Sequence, residues 1–328
     1  MLKLEIKNHI SQYPSRQKTN FYKLKQFLPY NQDSNQVLKG MDEQEIHSFL
    51  VKNDRNIDLE TVESFGEEWG KFDSFSDEEI KFAGDQYFDV VASDLLTDQT
   101  KVLDLGCGSG RWTKYVASKV ELVEAVDPSN AVYSALHLTK DESNVRVTQA
   151  GVSNIPFADK SFDFIICLGV LHHIPDTQQA LSDLCKKLKL EGHILLYLYY
   201  SLDNRGLGYK FIFSLSTFLR KLVSKMPHGL KKGVCELIAF FVYLPFVGVV
   251  KLLQFFMGKQ KWINKIPLSY YSDKSLNIIR NDALDRFGTP LEQRFSKVEI
   301  TEMLRNAGIN QCTFSDNAPY WHVLGRKV

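Results

Sequence analysis

Residues 101–112 read KVLDLGCGSGRW: an apolar run, then Gly106, Gly108 and Gly110 at every second position, with Asp104 just ahead of them. Glycine behind a parallel strand lets the backbone turn tightly and come close to a ligand, while the helix that follows offers its N-terminal N–H groups. The dinucleotide fingerprint G-x-G-x-x-G/A would need a small residue at 111, where Arg111 stands. The turn is therefore D-x-G-x-G-x-G. A second carboxylate, Asp127, closes the apolar run ELVEAVD 23 residues after Asp104. His172 and His173 follow another apolar run, FDFIICLG, where ligands of open α/β sheets bind. Neutral imidazole can take a proton near physiological pH, so either could act as a base. Either could equally be a loop histidine held by the backbone.

The elements that must position these residues follow from periodicity. KVLDLG, ELVEAVD, NVRVTQA, FDFIICLG and GHILLYLYY have strand length and apolar character. RWTKYVASKV, PSNAVYSALHLTK and DTQQALSDLCKKLK between them have helical spacing. Strands alternating with helices imply parallel βαβ units, and near-continuous apolar strands imply a sheet covered on both faces. Residues 201–290 break the alternation, which resumes with SKVEITEMLRNAGI as a helix and with QCTFSDNA and YWHVLGRKV as strands.

D-x-G-x-G-x-G after a V-L-x-L strand resembles the first motif of class I S-adenosylmethionine-dependent methyltransferases. SNIPFADKSFDFIICLGVLHHIPD at 153–176 is similar to that family's stretch around its fourth strand, and KKLKLEGHILL at 186–196 resembles its turn into the fifth, with Leu-Glu-Gly for Pro-Gly-Gly. The resemblance implies a doubly wound, Rossmann-like α/β fold with a seven-stranded mixed sheet whose last strand is antiparallel. It implies S-adenosyl-L-methionine as cofactor, bound by Asp104, Gly106, Cys107, Gly108, Gly110, Asp127, Pro128, Gly151, Val152 and Leu168. Asp127 stands where the family grips both ribose hydroxyls, which suits a carboxylate that accepts two hydrogen bonds from a diol. Many members carry an acid to meet the adenine amine where this chain has Gly151, so adenine is left to backbone groups near Gly151 and Val152. FGEEWGKF at 65–72 and the C-terminal stretch also resemble a bacterial subgroup with an FGxxW entry segment and an insertion before the last core helix. Members of that subgroup are often linked to surface-carbohydrate or natural-product biosynthesis.

The division expected is an N-terminal helical extension at 1–85, including a helical stretch at 41–53, a cofactor-binding core at 86–200, a helical lid at 201–290 and a C-terminal completion at 291–328. Methyl transfer to a small-molecule acceptor is implied, O-methylation favoured, the acceptor a carbohydrate or lipid-linked intermediate. His172 and His173 are the candidate catalytic residues. Tyr270, Tyr271, Asp273, Asp285 and Glu292 are lid-side candidates, and His322 is structural. Aromatic residues at 65–88 and Tyr199–Tyr200 could stabilise a sulfonium charge. Two rivals remain: a cofactor-binding, non-catalytic partner subunit, and a nicotinamide-dependent oxidoreductase, which Arg111 disfavours.

Bulk properties narrow the partners. A net charge of +1 over 328 residues argues against nucleic acid as the main partner. Five scattered cysteines without a C-x-x-C pair fit reduced thiols in the cytoplasm and give no zinc site. MLKLEIKNHISQYPSRQK lacks a long apolar stretch, so secretion is not expected, and no cluster of His, Asp and Glu has metal-ligand spacing. Residues 205–266 hold eleven Lys and Arg against Glu236 alone, around the fourteen-residue apolar run LIAFFVYLPFVGVV at 237–250. That run is shorter than the roughly 20 residues a spanning helix needs, so it reads as buried or interfacial. The basic flanks suit a helical cap with solvated lysines, peripheral contact with the inner face of a membrane, or a lid over an anionic substrate.

Overall fold

The computed structural model describes residues 26–40, 44–51, 54–69, 75–202, 206–258, 260, 262–263 and 266–328. Its first elements are β1 (Gln36–Lys39), β2 (Glu45–Ser48), α1 (Leu59–Trp69) and α2 (Asp77–Tyr87). The alternating core comprises β3 (Lys101–Leu105), α3 (Arg111–Ala117), β4 (Leu122–Asp127), α4 (Val132–Leu138), β5 (Val145–Gln149), β6 (Phe162–Leu168), α5 (Thr177–Lys186) and β7 (Leu188–Tyr197). Four long helices follow: α6 (Leu207–Val223), α7 (His228–Ile238), α8 (Leu244–Met257) and α9 (Leu276–Gly288). The chain closes with α10 (Lys297–Asn306), β8 (Ile309–Phe314) and β9 (His322–Lys327).

The strands form one sheet in the order β1-β2-β5-β4-β3-β6-β7-β9-β8. From β2 to β7 all neighbours run parallel, and β9 inserts antiparallel between β7 and β8. Both faces are covered, as the continuous apolar strands require. On one, Leu103, Leu105, Ile165 and Ile194 pack with Leu181 and Leu184 of α5 and Leu304 of α10. On the other, Val102, Val123, Phe164 and Leu195 pack with Trp112 and Val116 of α3. Strand order reverses at β3, so the loops after β3 and β4 and those after β6 and β7 open on a common crevice.

The sheet has nine strands rather than the expected seven, because the N-terminal segment is not wholly helical. The stretch expected as a helix at 41–53 holds β2, in which Ile46 and Ser48 are buried and alternate with more exposed neighbours. Alternation with period two, which a polar helix does not need, decides this. β2 extends the sheet edge beside β5, and β1 pairs with it antiparallel. Residues 1–25, which include the stretch read as unsuited to secretion, lie outside the described residues.

A buried ion pair fastens this extension. Glu124 of β4 is fully buried and accepts two hydrogen bonds from Arg146 of β5, both at 2.8 Å. The Leu28 N–H donates to the same carboxylate at 3.1 Å, and the Arg146 guanidinium lies 4.1 Å from the Tyr30 ring centre.

The insertion builds its own small core from Val223, Cys235, Ala239, Tyr243, Tyr271, Ile279 and Phe287. α7 and α8 join through a π-helical turn at Ala239–Tyr243 into one helix over Gly229–Met257. This corrects the reading of 237–250 as short. The helix is 29 residues long and apolar enough to cross a membrane, and little of its most apolar stretch is buried. Beyond α9 the chain returns to the core where Tyr200 and Phe295 bridge.

Candidate functional site

A cavity of about 870 Å³ opens over the C-terminal ends of β3, β4, β6 and β7. Of the ten residues expected at a cofactor, Gly106, Cys107, Gly108, Asp127, Pro128, Gly151, Val152 and Leu168 line it. Asp104 and Gly110 sit behind it and shape it. Gly110 has φ +85° at the start of α3, and a Cβ there would come within 3.0 Å of Ala135 Cα. Gly106 has φ +69°, and a Cβ there would press to 2.3 Å from a Val170 methyl. Only glycine meets both demands, left-handed backbone and close approach.

The two carboxylates are arranged differently. Asp104 is fully buried; one oxygen accepts from the Thr113 hydroxyl at 2.6 Å, while Oδ1 has no partner among the described residues. Burial, with the Asp127 charge adding to it, pushes this carboxyl up to about 7. A buried carboxylate oxygen without a donor is costly, and an ammonium group at the turn, directly or through water, would satisfy it. Asp127 Oδ1 accepts from both the N–H and hydroxyl of Ser129, at 2.8 and 2.6 Å, and Oδ2 from the Gly108 N–H at 3.0 Å. The fork is thus pinned from behind, with Oδ2 left most room for a further donor. Ile57 closes over Gly151, where a Cβ would come within 2.6 Å of its Cδ1. These residues fit an amino acid joined to a nucleoside: an acid for its ammonium, an acid for a ribose hydroxyl, and an apolar slot for a base. Replacing Asp127 by Ala should weaken binding of S-adenosylmethionine at least tenfold, measured by calorimetry, because charge-assisted hydrogen bonds are lost.

The remaining wall comes from the N-terminal segment and the insertion. Phe65, Tyr87, Tyr197, Tyr199 and Tyr200 supply aromatic faces, and Tyr270, Tyr271, Asp273, Asp282 and Asp285 come from the insertion. His172 does not line the cavity. It is fully buried and stacked on Tyr199 at 3.9 Å, and its Nδ1 accepts from the Tyr199 N–H at 3.4 Å. With that lone pair turned to the backbone, His172 packs rather than exchanges protons with a ligand. His173 does line the cavity. Its Nδ1–H donates to the Leu291 carbonyl at 2.7 Å, which leaves the lone pair on Nε2, and burial pushes the imidazole down to about 4. Glu292 pairs with Arg294 at 2.7 Å, and both ring nitrogens of His322 are engaged, by Pro319 and Asp89; neither residue lines the cavity.

Asp285 lines the cavity from the insertion. Its carboxylate accepts from the Tyr199 hydroxyl at 2.8 Å. Desolvation, reinforced by the neighbouring Asp282, pushes it up to about 7. Asp282, one helical turn earlier, accepts from the Tyr243 and Tyr271 hydroxyls and so ties the insertion together. Sequence reasoning named Asp285 but passed over Asp282 and Tyr197. The (i, i+3) spacing of the two acids in NDALD, on one helix face, was the available signal.

Residues 103–196 match the family model described as a methyltransferase domain. The chain is 28% identical over 138 residues to the ubiquinone biosynthesis O-methyltransferase of Pseudomonas fluorescens (strain Pf0-1), covering 41% of this chain and 58% of that protein. It is 30% identical over 112 residues to the tRNA U34 carboxymethyltransferase of Nautilia profundicola, covering 33% of this chain and 37% of that protein. This chain therefore spans little more than half the length of such relatives at most. A solved structure of a putative methyltransferase from Bacillus halodurans C-125 aligns with a TM-score of 0.41 and 15% identity, covering 70% of this chain and 71% of that one.

Proposed function

We propose that the chain, whose residues 103–196 match a methyltransferase domain, is a class I S-adenosylmethionine-dependent methyltransferase that transfers the methyl group to a hydroxyl of a small acceptor held under the insertion, a carbohydrate or lipid-linked intermediate. The observation that carries this reading is Asp285, a carboxyl that lines the cavity and is held by the Tyr199 hydroxyl at 2.8 Å, with burial raising its affinity for a proton. A hydroxyl must lose its proton as the methyl arrives, and a base works best when its pKa lies near the working pH.

S-Adenosylmethionine supplies an already activated methyl, so the residues present have to align the acceptor, remove its proton and exclude water. Asp285 takes the proton, and the Tyr199 hydroxyl holds its carboxylate in place. His173, its ring fixed by the Leu291 carbonyl, shapes the wall beside the acceptor. Tyr87, Tyr197 and Tyr199 present π faces that favour a sulfonium charge. The helices of the insertion close the roof against water.

The first test is methyl transfer from labelled S-adenosylmethionine into an extract of the source cells, separated into aqueous and organic-soluble fractions. Label in the aqueous fraction supports a sugar or nucleotide-sugar acceptor, and label in the organic fraction a lipid-linked one. No label in either, from protein that still binds the cofactor, overturns the reading in favour of a non-catalytic partner subunit.

A further inference from the structure

The insertion leaves uncovered an amount of apolar surface that its own core does not use. Leu215, Phe218, Leu219 and Leu222 recur on α6 at i, i+3, i+4 and i+7, and they are 59%, 60%, 45% and 51% exposed. A helix stripe at this spacing normally faces a core. On the continuous helix of α7 and α8, Phe241, Phe255 and Phe256 are 76%, 81% and 74% exposed. A cap with its apolar face turned inward would show the reverse. Basic residues border these stripes: Lys221 and Lys225 at the end of α6, Lys232 near the start of α7 and Lys251 within α8 are exposed.

We propose that the insertion is a membrane-docking surface that lies on a bilayer carrying anionic lipid. The exposed Phe and Leu side chains of α6 and α7–α8 seat among the acyl chains, and the lysines sit at the phosphate level. Exposed apolar stripes bordered by lysine are what an in-plane interfacial helix presents, and charge complementarity selects the anionic headgroup.

Two other occupants fit less well. A spanning helix would have to take whatever it packs on into the bilayer with it, and Cys235, Ala239, Tyr243 and Val247 are buried along one side. That side is tied to α9 by the Tyr243 hydroxyl on Asp282 and by the Arg280–Glu236 ion pair at 2.6 Å. Crossing the bilayer would drag the charges of α9 into hydrocarbon. A second copy of this chain would bring the same surface against itself, with the exposed Lys221, Lys225, Lys232 and Lys251 on each side, and like charges would repel.

The face adjoins the site. Gln254 of α8 lines the cavity, and Phe255 and Phe256 next to it are exposed, so an acceptor held at the membrane surface would meet the roof of the cavity. The docking proposal goes beyond the reaction assigned above and stands whether or not the acceptor is a lipid.

The test is co-sedimentation of the full chain with vesicles of phosphatidylcholine alone and of phosphatidylcholine with phosphatidylglycerol. Binding to the anionic vesicles, released by raised salt, is expected. Phe255→Ser with Phe256→Ser, and separately Lys221→Glu with Lys225→Glu, should each lower partitioning about tenfold or more. Cofactor affinity in calorimetry should stay unchanged in both variants, which shows that they are folded and leaves the catalytic reading untouched. Absence of binding by the unaltered chain overturns the proposal. So does a dimer in size-exclusion chromatography that the phenylalanine variant dissociates, or retention on membranes through alkaline extraction, which would mean a spanning helix.

Discussion

Asp285→Asn should lower turnover by about two to four orders of magnitude while leaving S-adenosylmethionine affinity within about twofold. Asparagine keeps the size and can still accept from the Tyr199 hydroxyl, so the pocket retains its shape while losing its base. The pH profile separates the two candidate bases. With Asp285 held up to about 7, activity should climb through neutrality and level off above it, as the carboxyl loses its proton. With His173 as the base, pushed down to about 4, the rate would already be level from weakly acidic pH upwards. A flat profile across neutrality would therefore remove Asp285 from the role. Stability gives a second readout with a definite sign. The native state binds the Asp285 proton more tightly than the unfolded chain does. Its stabilising contribution is therefore full below the ordinary carboxylate range and is lost as pH rises through about 7. The Asn variant should melt higher than the parent above neutrality, and the gain should vanish in acid.

Arg146→Met should destabilise the fold by about 3–5 kcal/mol, because it leaves the Glu124 carboxylate buried without its counter-charge. Glu124 is fully buried, and beyond the guanidinium only the Leu28 N–H donates to it among the described residues. The same change removes the cation that faces Tyr30, so residues 26–31 lose one of their anchors, while the Tyr30 hydroxyl contact with Thr148 remains. Melting should fall on the order of 10 °C in a thermal scan. Glu124→Leu combined with Arg146→Met should recover most of the loss, since an apolar pair of similar volume needs no partner. If the double variant is no more stable than the single one, the damage comes from lost packing at Arg146 and not from the stranded charge.

Much of the core was legible because its chemistry is local in the chain. A parallel strand covered on both faces must be apolar throughout, and the three glycines must follow it within a few residues to bend the backbone over a ligand. Those constraints act over short windows, so the runs at 101–105, 122–127 and 162–168 could be read directly as strands. Asp127 could be placed because it closes the strand adjoining the glycine turn. β1 and β2 could not be placed in the same way. A four-residue strand carries only two inward residues, and its identity depends on the edge of β5, about 100 residues away, having an open row of hydrogen-bonding groups.

The acceptor side shows the same division. From its sequence alone, this chain specified a cofactor cradle, a late insertion and an excess of positive charge in that insertion, since each is a matter of residue type and spacing along the chain. Only the tertiary structure decided that His172 spends its lone pair on a backbone N–H, that Asp285 meets Tyr199 across 86 residues, and that the apolar stripes of the insertion face outward. The reason is physical. The basicity of a side chain, and whether an apolar face is covered, depend on which groups the fold brings within a few ångströms and on how much water it removes, and neither is a property of a short window of sequence.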